Sequence, residues 1–375
     1  MINISLIGCT GNIGLQVAEV VRRYPERFRF SALVAGRKGD GLCRLAHEFK
    51  PDFAAIAGGG ELDLPSGSRA LSGDEILSHC FDGADVAFIA AGGFAGLAYT
   101  LRAAELNKKI ALANKESLVC GGELVMREVE KRGLDLVPVD SEHSALFQAL
   151  SFQRNAPFAR LVLTASGGPF RNFTKEQLAR VTAQDALKHP TWSMGAKITI
   201  DSATLLNKGY EVIEAKWLYN TDFDRIEAVV HPESIVHSLV YFEDGAAIAQ
   251  LGYPDMRIPI QLALTYPERL PCSPQLDLVQ LSALHFERLK EENFPCFSLA
   301  LAAGKEGGTA PTVLNGAGEE AVRAFLSGSI PFSKIAETIG ETLARIPNGA
   351  ASSFGALQEA DALARRKATE FIYGK

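Results

Sequence analysis

The stretch from Ile2 to Arg23 narrows the possible folds more than any other part of the chain. An apolar run, Ile2 to Ile7, ends in Gly8-Cys9-Thr10-Gly11-Asn12-Ile13-Gly14, and Leu15 to Arg23 then reads as a helix. Strand, glycine-rich turn and helix in that order open a dinucleotide fold. The glycines let backbone N–H groups approach a pyrophosphate at the positive end of the helix. The spacing is G-x-x-G-x-x-G rather than G-x-G-x-x-G, so the motif alone also fits a bare tight turn. A second strand, Phe28 to Ala35, leads into Gly36-Arg37-Lys38. Folds that take NAD usually place an acidic residue there for the ribose 2′-hydroxyl. Two cations and no carboxylate suit a 2′-phosphate and point to NADPH; the alternative is a solvated basic turn.

Further strand–helix units follow, with strands expected at Asp52 to Ala57, Ala84 to Ala91, Lys109 to Ala113 and Leu134 to Val139. The alternation predicts an α/β fold with a doubly wound, mostly parallel, Rossmann-like sheet. Ligands in such sheets collect beyond the carboxyl ends of the strands. Two polar clusters occupy that kind of edge: Asn114-Lys115-Glu116-Ser117 and Asp140-Ser141-Glu142-His143. Asp140, Glu142 and the later Glu211 would make three hard oxygen ligands, a set suited to Mg²⁺ or Mn²⁺. Asp140 as a helix N-cap with Glu142 in the first turn is the competing explanation. His231, Glu233 and His237 fall in a strand-like run and read as structural histidines rather than a zinc site.

The run from His189 to Trp217 is the densest in polar side chains. Asp201 and Ser202 are placed as N-caps of one helix whose stripe is Ala203, Leu206, Tyr210, Ile213 and Trp217. Asn207, Lys208 and Glu211 lie off that stripe, either to hold a charged ligand or as an ordinary solvated face. Ahead of it, Leu161 to Ala165 predicts a strand running into Ser166-Gly167-Gly168-Pro169. Leu187 to Ala196, with Pro190, Trp192, Met194 and Gly195, predicts a loop with an aromatic anchor. That loop is a lid candidate; the alternative is a static surface loop.

The net charge of −6 argues against a nucleic-acid surface. Six scattered cysteines without a C-x-x-C pair fit free thiols in a reducing compartment. A first strand that starts almost at Met1 leaves no room for a leader, and no apolar run is long enough to span a bilayer. The expectation is a cytoplasmic protein with a small-molecule partner, no membrane and no nucleic acid.

Several motifs in this order carry a family resemblance: GCTGNIG at 8–14, AGRK at 35–38, ANKES at 113–117, VDSEHSALFQ at 139–148 and LTASGGPF at 163–170. They continue in HPTWSMGAKITIDSATLLNKGYEVIEAKWLY at 189–219, HPESIVHSLVYFEDG at 231–245, QLGYPDMRIPI at 250–260 and GGTAPTVLN at 307–315. Essentially the whole chain resembles the 1-deoxy-D-xylulose 5-phosphate reductoisomerase family. The resemblance implies an NADPH domain at 1–139, a catalytic α/β domain at 140–265, a linker at 266–295, a helical bundle at 296–375 and a homodimer. Helices over Phe297 to Gly304, Gly316 to Leu326, Ser333 to Arg345 and Ser353 to Ile372 agree with that bundle.

It further implies conversion of 1-deoxy-D-xylulose 5-phosphate to 2-C-methyl-D-erythritol 4-phosphate, with NADPH and a divalent metal (Mg²⁺, Mn²⁺ or Co²⁺). On its pattern Asp140, Glu142 and Glu211 are metal ligands, and Lys115 lies beside the reacting carbons. Substrate contacts fall to Lys115, Ser141, Glu142, Ser166, His189, Trp192, Ser202, Asn207, Lys208 and Glu211. Ser166, Ser202, Asn207 and Lys208 form its phosphate pocket, and Trp192 is its lid aromatic. Cofactor contacts fall to Thr10, Gly11, Asn12, Ile13, Gly36, Arg37, Lys38, Asn114, Glu116 and Gly195. Departures from the family pattern are Cys9, Asn12, Lys38, Ala196 and the glycine-rich Gly316-Ala317-Gly318-Glu319. A simple NADP-dependent dehydrogenase, or a non-catalytic NADP sensor, are the competing functions.

Overall fold

A computed structural model of the chain describes residues 1–37, 39–151 and 157–374. The chain divides into two compact units. One comprises Met1–Ser117, Val125–Ser144 and Asp255–Ser273; the other comprises Leu118–Leu124, Ala145–Pro254 and Pro274–Lys375.

The first unit is built on a sheet of β1 (Ile2–Ile7), β2 (Phe28–Ala35), β3 (Phe53–Ile56), β4 (Arg69–Leu71), β5 (Val86–Ile89), β6 (Lys109–Leu112) and β7 (Leu136–Pro138). The strand order is β4-β3-β2-β1-β5-β6-β7, and every pairing is parallel. This is the doubly wound sheet predicted from the alternation of elements. Its central strands are mostly apolar, as expected where helices cover both faces. The order reverses between β1 and β5, which opens a crevice at their carboxyl ends. Gly8 lies there with φ of +92°, and a Cβ on it would stand 2.4 Å from the Ala90 carbonyl oxygen. Only glycine fits that turn.

The helix Arg257–Thr265 returns to this unit and packs on the helix Asn12–Arg23. Arg27 grips Glu268 through two hydrogen bonds of 3.1 and 2.5 Å, and Tyr24 donates its hydroxyl to the Pro271 carbonyl. These exposed contacts contribute little energy by themselves but pin the returning segment.

The second unit carries a mixed sheet of β8 (Phe158–Ala165), β9 (Ile226–Val230), β10 (Val236–Phe242), β11 (Ala247–Leu251) and β12 (Glu287–Arg288). Its order is β11-β10-β8-β9-β12, with β8–β9 the parallel pair. The helix Leu206–Leu218 packs on β8 and β9 and against the helix Pro295–Glu306. The helices Ala310–Leu326, Ser333–Arg345 and Phe354–Tyr373 complete a bundle around Val313, Ile346 and Ala364.

The expected single helix after Asp201-Ser202 is in fact two. Ala196–Ala203 ends before Leu205, which turns the chain with φ of +58°, and Leu206–Leu218 then begins. Asp201 and Ser202 therefore lie in the last turn of the earlier helix and cap nothing in the later one. The solvated-face alternative also fails, because Lys208, Glu211 and Glu214 are buried together with Leu206, Tyr210 and Ile213.

Gly209 makes this burial possible: a Cβ there would stand 2.4 Å from the Ala300 methyl on Pro295–Glu306. Gly209→Ala is expected to destabilise the fold by about 1–3 kcal/mol through overpacking, despite alanine's better helix propensity. Denaturant unfolding monitored by circular dichroism checks this. A more stable variant would show that the two helices can part without cost.

Candidate active site

In the first unit, Gly11 is the N-cap of Asn12–Arg23. No side chain caps that end, its first turn has no acid, and Arg22 and Arg23 lie in its last turn. The positive end of the helix dipole is thus left for an external anion. Gly11 and Asn12 are exposed and Thr10 and Ile13 half-buried, while the Cys9 thiol is sealed in the interior and pushed up to about 12 by burial. Gly36 and Arg37 are exposed where β2 ends, and Gly58 N–H donates to the Gly36 carbonyl at 2.9 Å. Lys38, expected beside them, lies outside the described residues.

The two polar clusters follow β6 and β7, as the topology requires. Lys115 Nζ lies 2.7 Å from Asp140 Oδ2, and both side chains are largely buried. Ser141 Oγ donates to Glu142 Oε2 at 2.5 Å, and Ser141 N–H to Asp140 Oδ1 at 3.1 Å. Asp140 does occupy the cap position of Ser141–Ser151, since its carbonyl accepts Ser144 N–H at 2.7 Å. Its carboxylate is shared, with Oδ1 on the first helical N–H and Oδ2 on Lys115, so the capping explanation accounts for one carboxylate oxygen and not for the other. Asn114 is fixed from both ends. Its Nδ2 donates to the Gly93 carbonyl at 3.0 Å and to Glu116 Oε2 at 2.8 Å, while its Oδ1 accepts the N–H and hydroxyl of Ser117.

In the second unit, Lys208 and Glu211 are 3% and 1% exposed and form an ion pair one turn apart. Lys208 Nζ also donates to the Thr164 carbonyl on β8 at 2.6 Å, and Asn207 Nδ2 donates to Glu211 Oε1. Charges buried this deeply persist only when each is paired and its remaining hydrogen bonds are made. Close by in sequence to Thr164, Ser166 Oγ meets His189 Nε2 at 3.0 Å. His189 Nδ1 accepts from the Thr191 and Trp192 N–H groups at 3.3 and 2.9 Å, which places the ring proton on Nε2. Burial pushes this imidazole down to about 4, so it is neutral at physiological pH. Ser166 Oγ accepts from His189 and from Gly168 N–H at 3.2 Å, leaving its own hydroxyl proton to aim at a ligand oxygen.

Ser202 is half-buried, and its carbonyl backs onto Gly168; a Cβ on Gly168 would stand 2.9 Å from that oxygen. Trp192 packs its ring 6.0 Å from that of His237. Gly195 is the N-cap of Ala196–Ala203. His231 is a structural histidine: its Nε2 accepts the Ile235 and Val236 N–H groups at 3.1 Å, and its Nδ1 faces the His285 carbonyl.

Each unit therefore gathers its own predicted set. Lys115, Asp140, Ser141 and Glu142 meet in the first; Ser166 and His189, and then Asn207, Lys208 and Glu211, meet in the second. Sequence reasoning missed Thr164, whose backbone oxygen anchors Lys208. An acceptor of that kind leaves no side-chain signal.

Three family models match the chain. The 1-deoxy-D-xylulose 5-phosphate reductoisomerase model covers residues 4–122, a C-terminal domain model of that enzyme covers 136–219, and a DXP reductoisomerase C-terminal domain model covers 251–367. The 1-deoxy-D-xylulose 5-phosphate reductoisomerase of Geobacillus sp. (strain WCH70) is 47% identical over 97% of this chain and 98% of its own length. That of Geobacillus kaustophilus (strain HTA426) is 49% identical over 91% and 92%. Among solved structures, the Zymomonas mobilis reductoisomerase in complex with NADPH superposes with a TM-score of 0.89 at 37% identity over both whole chains. A DOX-P reductoisomerase in complex with NADPH, fosmidomycin and magnesium superposes with a TM-score of 0.91 at 36% identity, covering 99% of this chain and 98% of that one.

The His189 arrangement predicts a titration. Between pH 6.5 and about 4 the unfolded chain binds a proton that the folded chain refuses, so stability falls as pH drops through that window and is unaffected above it. An NMR midpoint for His189 near 4 is expected. A midpoint near the ordinary 6.5 would mean that the ring is solvated and the tautomer argument fails.

Proposed function

The chain belongs to the 1-deoxy-D-xylulose 5-phosphate reductoisomerase family, and on that footing we propose how its residues divide the reaction between the two units. The reaction is the NADPH- and divalent-metal-dependent rearrangement and reduction of 1-deoxy-D-xylulose 5-phosphate to 2-C-methyl-D-erythritol 4-phosphate, in isoprenoid precursor synthesis. In this reading the first unit takes NADPH. The uncapped helix behind Thr10, Gly11, Asn12 and Ile13 receives the pyrophosphate, and Gly36, Arg37 and Lys38 receive the 2′-phosphate. Asn114, Glu116 and Gly195 complete the cofactor contacts.

Asp140 and Glu142, together with Glu211, hold the divalent ion. The donors present fit such an ion: all are carboxylate oxygens, hard ligands suited to Mg²⁺, Mn²⁺ or Co²⁺. Asp140 has the Lys115 ammonium against it and Glu211 that of Lys208, which is how buried acids are neutralised in the absence of another cation. When bound, NADPH supplies the hydride and the divalent ion Lewis acidity toward the substrate's carbonyl and hydroxyl oxygens. Lys115 holds an ammonium beside the reacting carbons, and Ser141 offers a hydroxyl there. Lys208, Asn207, Ser166 and Ser202 bind the phosphate, a charge-assisted grip in a chain that is acidic overall. Neutral His189 keeps the Ser166 hydroxyl aimed outward, and Trp192 covers the bound ligand and excludes water. The observation that carries this reading is the buried Lys208–Glu211 pair, which joins a phosphate ligand and a metal ligand on one helical turn. We further assign the chain to a cytoplasmic homodimer; no helix among the described residues is long and apolar enough to cross a membrane.

Product identification by NMR, after incubation with 1-deoxy-D-xylulose 5-phosphate, NADPH and Mg²⁺, tests the assignment directly; turnover that survived verified metal removal would refute the carboxylate roles. Glu211→Gln should lower kcat by about 10²-fold or more while NADPH affinity stays near that of the parent. Lys208→Ala should raise the substrate KM, and an unchanged KM would remove Lys208 from the phosphate pocket.

A further inference from the structure

The helix Leu206–Leu218 that carries Asn207, Lys208 and Glu211 also carries Tyr210, whose ring and hydroxyl are wholly buried. A line of polar contacts runs from that hydroxyl to the last helix of the chain. Tyr210 Oη donates to Asn315 Oδ1 at 3.4 Å, and Asn315 Nδ2 donates to Glu319 Oε1 at 3.1 Å. Glu319 Oε2 pairs with Arg365 Nη1 at 2.9 Å, and Arg365 is clamped by Asp361 through contacts of 2.7 and 3.0 Å. Burial opposes ionisation of Glu319, yet Arg365 and the field of Lys197 hold its carboxyl below the ordinary range.

The line has a direction. An ionised Glu319 can only accept, so it takes the Asn315 amide by its N–H side and turns the amide oxygen toward Tyr210. Lys197 reaches the same spot from the helix Ala196–Ala203. Its ammonium lies 5.4 Å from the centre of the Tyr210 ring and 2.8 Å from Asp201 Oδ2. Gly318 lets the helices meet here, since a Cβ on it would stand 3.1 Å from Leu206 Cδ2 and 3.3 Å from Tyr210 Oη. The glycine-rich Gly316-Ala317-Gly318-Glu319 is thus the seam that admits the line.

We infer that Tyr210, Asn315, Glu319 and Arg365 are positioning residues that fix the rotation of the helix Leu206–Leu218 about its axis, and so the aim of Glu211 at the divalent ion. The inference rests on the reading of Glu211 as a metal ligand. The Lys208–Thr164 bond ties the first turn to β8 on one side. A directional hydrogen bond from Tyr210 to the bundle restricts the rotation that apolar packing and that one tether leave open. Tyr210 follows Gly209, which sets the distance to the neighbouring helix, and precedes Glu211, which must point at the ion. Separation and rotation are therefore set by adjacent residues.

The test uses the full-length protein, with Mn²⁺ binding read by electron paramagnetic resonance alongside kcat, NADPH affinity and melting temperature. Tyr210→Phe removes only the hydroxyl, Asn315→Leu removes the amide at similar volume, and Glu319→Gln removes the charge that orients it. Each is expected to weaken Mn²⁺ by about fivefold and to lower kcat on the order of tenfold, with NADPH affinity unchanged. Tyr210→Phe combined with Asn315→Leu should cost no more than the larger single effect, as expected for one shared contact. Melting temperatures that fall while Mn²⁺ affinity and kcat stay within about twofold of the parent would reduce the line to a fold-stabilising contact and overturn the inference. Glu211→Gln is the internal reference. If it leaves Mn²⁺ binding intact, the metal reading itself fails; if it abolishes binding while the other variants match the parent, only the positioning role fails.

Discussion

A lysine and a glutamate buried side by side on one helical turn set the terms for the second unit. Removing two charges from water costs several kcal/mol for each, and their mutual attraction repays that only with good geometry and satisfied neighbours. Lys208 and Glu211 meet both conditions through the Thr164 carbonyl and the Asn207 amide. The strand β8 must therefore run past the first turn of Leu206–Leu218, and the helix must be covered on its remaining sides. Gly209 against Ala300 and Trp217 over Gly122 provide that cover at distances a side chain would prevent. A charged group buried at this cost contributes less to stability than to chemistry, which is the pattern expected of a ligand-binding turn.

The first unit solves a different problem with the same economy of backbone. A dinucleotide needs N–H groups at a helix terminus and no competing acid, and the chain meets this by leaving Asn12–Arg23 uncapped behind Gly8 and Gly11. Gly8 bends β1 into the Ala90 carbonyl, so the crevice at the β1–β5 reversal follows from a contact no other residue tolerates. At the next two strand ends, the lysine and carboxylates stand on the short turns after β6 and β7, on rigid elements rather than long loops. Side chains on such elements are held more closely in place than side chains on loops.

How much of this was legible follows from how local each feature is. Phe28–Ala35 and Ile2–Ile7 were readable to the residue, because a covered parallel strand is a mostly apolar run and both end in a glycine turn. The closing helices were readable from periodicity, with Ser333–Arg345 matching at both ends. The break at Leu205 was not, since a leucine at φ of +58° breaks the local rule and is imposed by packing. The same limit explains the polar side of Leu206–Leu218. Asn207, Lys208 and Glu211 alternate with apolar neighbours as on a solvated helix, and what buries them is a strand 44 residues away and helices still farther along the chain. That Asn207, Lys208 and Glu211 form one polar group was visible as composition. Why they stay charged was not.

That distinction also bears on the carboxyl-terminal helices. A bundle whose only duty was to close the core would be built from residues such as Val313, Ile346 and Ala364, and polar groups within it would be a needless desolvation cost. Asn315 is instead wholly buried and meets the one tyrosine of the helix Leu206–Leu218, 105 residues earlier in the chain, and the largely buried Glu319 holds Asn315 from behind. A fully connected polar line of this kind specifies one arrangement where an apolar contact tolerates several. The bundle's place in the molecule is then mechanical: Lys208 and Asn207 hold the Glu211 carboxylate itself, and the bundle's hydrogen bond to Tyr210 sets the seat of the helix that carries it.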